Sequence, residues 1–157
     1  MIEIAEAANS RSHQFTTSSG LDTVEVGRKL VEWLAPPQLL VLTGDLGTGK
    51  TTLVKGIAEA LDAAEAEEVT SPTFTLLHEY DGARHGRPVK LFHLDVYRLE
   101  GERQLETLGL DDLCTDDALV LVEWGEKFKS IRKRATGEIV IRSLGGDARQ
   151  ITVTLKS

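Results

Sequence analysis

The residues most able to do chemistry stand together at Gly44-Asp45-Leu46-Gly47-Thr48-Gly49-Lys50-Thr51. They match G-x-x-x-x-G-K-[ST] at every required position. Glycines lack a Cβ and reach positive φ, so such a backbone can wrap closely around an anion. Its successive N–H groups then point inward as an anion nest. A helix that starts near Gly49 adds the positive end of its dipole. In such a loop Asp45, Leu46, Gly47, Thr48, Gly49, Lys50, Thr51 and Thr52 line the phosphates of ATP. Lys50 reaches the β- and γ-phosphates, and the Thr51 hydroxyl is a ligand for Mg²⁺.

A phosphate loop needs a second anchor for Mg²⁺, usually an acidic residue at the end of a neighbouring buried strand. Two residues qualify. Glu123 closes the apolar run Leu119-Val120-Leu121-Val122, and Asp95 follows Leu91-Phe92-His93-Leu94. Both fall at the carboxyl ends of strands, where open α/β sheets bind ligands. His93 alternates with Asp95 and shares its side of the strand; as a lone strand histidine it reads as structural. Trp124 either packs near the nucleotide or belongs to the core. Pro72 holds Ser71 extended, at a place where phosphate-loop proteins can carry a γ-phosphate switch.

The elements that must position these groups follow from hydropathy patterning. Leu39–Leu42 is too short for a helix and suits a strand buried on both faces. Lys50–Leu61 has Leu53, Val54, Ile57 and Leu61 on one side, giving the order strand, glycine loop, helix. An earlier helix runs from about Thr23, with Ser19 or Asp22 as its cap, and stops at Pro36-Pro37. His13–Thr17, Phe74–Tyr80, Val89–Tyr97, Leu119–Val122, Gly137–Leu144 and Gln150–Leu155 read as strands. Residues 81–87 read as an exposed hairpin loop and Gly145-Gly146 as a turn. Glu102–Leu108 reads as helical, with Leu110–Leu113 as a further short turn. Residues 1–12 are expected to be a loose lead-in, and 13–157 one domain. The fold class is α/β: a P-loop NTPase fold with a central mixed, mostly parallel sheet flanked by helices.

The 157 residues carry a net charge of −7, with 41% hydrophobic residues. Naked nucleic acid is a poor partner for such a surface. Arg132, Lys133 and Arg134 form one basic cluster, read as a solvated helix end. The single cysteine, Cys114, excludes an intrachain disulfide and a multi-cysteine metal site, and suits a reducing compartment. With no signal-like start and no apolar run of about 18 residues, the expected location is the cytoplasm, away from membranes.

Four segments together resemble the bacterial TsaE (YjeE) family. They are the loop Gly44–Thr52, Ser71-Pro72-Thr73-Phe74-Thr75-Leu76, His93-Leu94-Asp95-Val96-Tyr97-Arg98-Leu99 and Val122-Glu123-Trp124. They run in the family's order over roughly residues 13–130, and the resemblance weakens after about Ser130. It implies an ATPase of tRNA threonylcarbamoyladenosine biosynthesis. It also implies a partnership with TsaD and TsaB, which modify adenosine 37 of tRNAs reading codons that start with A; tRNA is met through that complex. Carried over by position, Lys50, Asp95 and Glu123 are catalytic, with Asp95 positioning or activating the attacking water. Thr51 and Glu123 hold Mg²⁺. Thr73 and Trp124 belong to a nucleotide-responsive surface, and the base pocket draws on residues 18–23 and the C-terminal strands. The loop by itself also fits a small-molecule kinase or a nucleotide-gated binding module with negligible hydrolysis.

Overall fold

The computed structural model describes residues 3–6, 11–45, 47–72 and 75–156. Its strands are β1 (Glu3–Glu6), β2 (Arg11–Thr17), β3 (Gln38–Thr43), β4 (Leu77–Arg84), β5 (Arg87–Asp95), β6 (Ala118–Glu123), β7 (Gly137–Gly145) and β8 (Ala148–Leu155). Its helices are α1 (Gly20–Leu30), α2 (Lys50–Ala60), α3 (Glu102–Leu108), α4 (Leu110–Leu113) and α5 (Lys129–Arg134). All eight strands join one mixed sheet in the order β1-β2-β8-β7-β3-β6-β5-β4. The four central strands, β7, β3, β6 and β5, run parallel. The flanks β4, β8, β2 and β1 pair antiparallel.

The central strands are apolar on both faces because helices cover both. On one face Leu40, Leu42, Leu91, Leu119 and Leu121 pack with Val26 and Leu30 of α1 and Leu53, Val54 and Ile57 of α2. On the other, Val41, Phe92, Leu94, Val120 and Val122 pack with Leu105, Leu110, Phe128 and Ile131. Each fully buried Leu or Ile contributes about 1.5–3 kcal/mol relative to exposure, so this double layer holds the carboxyl edge of the sheet rigid.

Helix α1 starts on Ser19, whose Oγ accepts from the Asp22 amide at 3.1 Å. It lies so close to α2 that glycine is required at the crossing. A Cβ on Gly56 would stand 1.9 Å from the Val24 carbonyl oxygen, and one on Gly27 would stand 2.3 Å from that of Leu53. Fixing α2 against α1 fixes the start of α2, where the phosphate loop ends.

Three expectations change. The supposed lead-in contributes β1, which pairs antiparallel with β2 from Glu3↔Thr16 to Glu6↔His13. Glu-Ile-Ala-Glu is too short a run to establish a hydropathy period, so this pairing left no mark in the sequence. The loop expected at 81–87 is a continuous hairpin in which Arg84 pairs with Arg87. His85 (φ 50°) and Gly86 (φ 78°) make a two-residue turn of the hand that matches strand twist. The strand expected from Phe74 begins at Leu77, because Leu76 takes φ 68° and its amide bonds the Pro72 carbonyl at 2.7 Å. Thr73 and Phe74 lie outside the described residues.

Candidate nucleotide and magnesium site

Strand β3 delivers the chain into the phosphate loop. There Gly47 and Gly49 take φ 79° and 107°, which a side chain would strain. Gly44 is held tightly: a Cβ there would meet Thr48 Oγ1 at 2.6 Å and the Ile141 carbonyl at 3.0 Å. Thr48 Oγ1 donates to the Asp45 carbonyl at 2.7 Å, closing the loop on itself. Gly49 is the N-cap of α2, and no side chain caps that helix start, so the first-turn amides keep their capacity for an anion.

The same sheet face that packs the core turns polar within one step. Along β5 the inward series runs Leu91, His93, Asp95; along β6 it runs Leu119, Leu121, Glu123, with Asp95 paired to Glu123 in register. His93, Asp95 and Glu123 are 0%, 4% and 3% exposed. Buried charge requires partners. Glu123 Oε2 accepts from His93 Nε2 at 2.7 Å, and Oε1 lies 3.5 Å from the Lys50 ammonium. Burial pushes the Glu123 carboxyl up, but the His93 hydrogen bond and the Lys50 charge outweigh it and hold the group below its ordinary value. Asp95 Oδ1 accepts from the Tyr97 amide at 2.9 Å, which fixes that carboxylate at the strand end. Lys50 Nζ donates to the Gly44 carbonyl at 2.6 Å and sits 5.1 Å from the Trp124 ring centroid. Trp124 itself takes φ 65° and stacks at a tilt on Tyr97, centroids 5.0 Å apart.

These groups surround one cleft of about 520 Å³, lined by Gly47, Gly49, Lys50, Thr51, Thr52, Ser71, Asp95, Tyr97, Glu123 and Trp124. Asp45 and Thr48 do not line it: Asp45 is exposed, and Thr48 shapes the loop from behind. Leu46 lies outside the described residues. A smaller cleft of about 140 Å³ opens beside the loop, between Ser19, Gly20, Thr23, Thr52, Asp147 and Arg149. The residue that sequence reasoning missed is Arg149 on β8. Its Nε donates to the Thr48 carbonyl at 2.9 Å and its Nη2 to that of Gly47 at 3.3 Å. It braces the loop's carbonyls outward, and no local pattern could have signalled it. Arg132 and Arg134 are engaged at the far end of α5, by the Glu126 carbonyl and the Asp111 carboxylate.

The donor set suits Mg²⁺. It offers a hydroxyl at Thr51 and carboxylates at Glu123 and Asp95, all hard oxygens, and Glu123 Oε1 already faces a cation in Lys50. No trio of His, Cys, Asp or Glu able to enclose a metal occurs among the described residues.

A profile of the family described as "Threonylcarbamoyl adenosine biosynthesis protein TsaE" matches residues 17–151. The chain belongs to the TsaE family. A TsaE protein of Bacillus subtilis is 40% identical over 134 residues, covering 85% of this chain and 79% of its own. One of Treponema pallidum is 38% identical, covering 86% and 95%. A crystal structure of Bacillus subtilis YdiB superposes with a TM-score of 0.68 at 31% identity, covering 96% of this chain and 90% of its own. The TsaE match spans the phosphate loop, Asp95, Glu123 and Arg149 together. No helix among the described residues is long and apolar enough to cross a membrane.

Proposed function

We propose that this chain binds Mg²⁺–ATP in the 520 Å³ cleft and hydrolyses it slowly alone, supporting threonylcarbamoylation of adenosine 37 in tRNAs that read codons starting with A. The observation that carries the ATPase reading is the convergence of Lys50, Thr51, Asp95 and Glu123 on one cleft at the carboxyl edge of the sheet. The names of its relatives, tRNA threonylcarbamoyladenosine biosynthesis proteins, support the pathway. The proposed partners are TsaD and TsaB, in the cytoplasm, and a net charge of −7 favours reaching tRNA through them.

In this reading the loop amides and the α2 N-terminus hold the phosphates, and Lys50 leaves Glu123 to meet them. Thr51 and Glu123 hold Mg²⁺, which when bound neutralises charge on the phosphate oxygens. Asp95, held by the Tyr97 amide, orients the attacking water. Asp147 and Ser19, beside the smaller cleft, are the proposed surroundings of the base. Phosphoryl transfer depends on positioning, and the cleft is open on the Tyr97 side, where Tyr97 is 57% exposed; docking of a partner there completes it. A kinase reading loses support because Arg132 and Arg134 are engaged away from the cleft.

The test is ATP hydrolysis by the purified protein, alone and with the TsaB–TsaD complex. A slow rate that rises on adding the complex supports the proposal. Intact ATP binding with no stimulation overturns the partnership and leaves a kinase or a nucleotide-gated binder.

A further inference from the structure

His93 is wholly buried, lies beneath the cleft rather than on its lining, and its side chain makes one hydrogen bond among the described residues, to Glu123 Oε2 at 2.7 Å. Its other ring nitrogen, Nδ1, has no partner among the described residues. A histidine serving the core alone has no need of a carboxylate, and a buried Nδ1 without a protein partner costs free energy. The structure accepts that cost two residues before Asp95 and under Glu123.

We infer that His93 is a positioning residue that reserves Glu123 as a one-oxygen ligand for a divalent cation. An ionised carboxylate only accepts, so Nε2 carries the hydrogen. That bond occupies Oε2 and fixes the carboxylate's rotation. Oε1 is the oxygen left to exchange partners, and it faces Lys50 at 3.5 Å. When Lys50 turns to a phosphate, Oε1 is released while Oε2 stays held, so a buried carboxylate changes cations without losing all compensation. A carboxylate confined to one oxygen favours Mg²⁺, which binds carboxylates sparingly at strict octahedral geometry. Ca²⁺ readily takes both oxygens. His93 therefore sets both the affinity for the cation and the choice between the two. The inference rests on the reading of Glu123 as a magnesium ligand.

The experiment compares wild type, His93→Leu and His93→Gln by titrating Mg²⁺ and Ca²⁺ against a fluorescent adenine nucleotide, with a metal-free arm in chelator. His93→Leu keeps the volume and loses the donor. We expect it to weaken Mg²⁺-dependent binding about 10- to 100-fold, to shift preference toward Ca²⁺, and to change metal-free nucleotide binding far less. His93→Gln carries a donor at the Nε2 position and recovers most of the loss. A folded His93→Leu protein with wild-type Mg²⁺ affinity and Mg²⁺/Ca²⁺ ratio overturns the inference, as does an equal loss in chelator. Wild-type binding that ignores Mg²⁺ overturns the metal reading of Glu123, and this inference with it. If His93→Leu does not fold, nitrogen NMR of the wild-type histidines decides. Protonated Nε2 with and without Mg²⁺–nucleotide supports the role, and an Nδ1–H form overturns it.

Discussion

Replacing Gly56 with alanine adds one methyl group on α2, far from any phosphate. Alanine is the better helix former, worth about 0.8–1 kcal/mol in a helix interior, so propensity alone predicts stabilisation. The crossing with α1 predicts the opposite. The new Cβ would lie 1.9 Å from the Val24 carbonyl oxygen, and Cβ contacts below 3.0 Å are essentially never seen, so the helices must part by at least 1.1 Å. Both sides of that contact are backbone, which cannot rotate away. Overpacking of this kind costs up to about 3 kcal/mol, which leaves a net loss of about 2 kcal/mol. In a chain of this size that lowers Tm by about 4–8 °C. Because α2 carries Lys50 and Thr51 at its first turn, a shift near 1 Å also misplaces the phosphate contacts, and turnover falls on the order of 10²-fold. Calorimetry reads the first effect, and ATP hydrolysis with a fluorescent-nucleotide titration reads the second. Gly20→Ala is the control: it opens the partner helix with nothing within 4 Å of the added Cβ, and stability holds or rises. A Gly56→Ala protein with unchanged or raised Tm and unchanged nucleotide affinity refutes the close crossing.

Lys50→Ala weakens ATP binding at least tenfold in calorimetric titration, since the loop loses its charge on the phosphates; unchanged affinity refutes the loop assignment. Asp95→Asn lowers kcat with KM and ATP affinity little changed, and a loss of binding alone contradicts its role toward water. Arg149→Ala weakens nucleotide binding by releasing the Gly47 and Thr48 carbonyls, and Arg149→Lys fails to restore it, because an ammonium lacks the guanidinium fork. The Ser130 hydroxyl and amide hold the Glu102 carboxyl below its ordinary 4.5. Its contribution to stability is present above about 4.5 and lost as pH falls through the lower folded value. NMR titration reads that midpoint, and Ser130→Ala moves it back toward 4.5.

The phosphate loop was legible because its chemistry is compressed into eight consecutive residues with a buried strand before and an amphipathic helix after. Asp95 and Glu123 were legible as polar residues ending apolar runs. What stayed hidden depends on partners distant in the chain. His93 looked structural until Glu123, 30 residues on, was seen on its Nε2, and Arg149 meets Thr48 across 101 residues. Local errors had local causes. Positive φ at Leu76 and His85 is not written in residue type, so the start of β4 and its tight turn were misplaced. The face change from Leu121 to Glu123 shows why pattern reasoning succeeds for the floor of the cleft and fails for its braces.

The pairing of β2 with β8, from Arg11↔Leu155 to Thr17↔Arg149, sets a timetable for a growing chain. During synthesis α1, β3, the loop and α2 emerge early and pack locally. β2 must wait for residues 148–155 before its inner edge is covered, and the loop waits just as long for Arg149. Long-range strand closure is slow, and an uncovered strand edge is prone to wrong pairing. A ribosome-bound chain stalled before β8 therefore carries the loop sequence complete yet lacks the clamp on its carbonyls, and nucleotide competence arrives with the last strand.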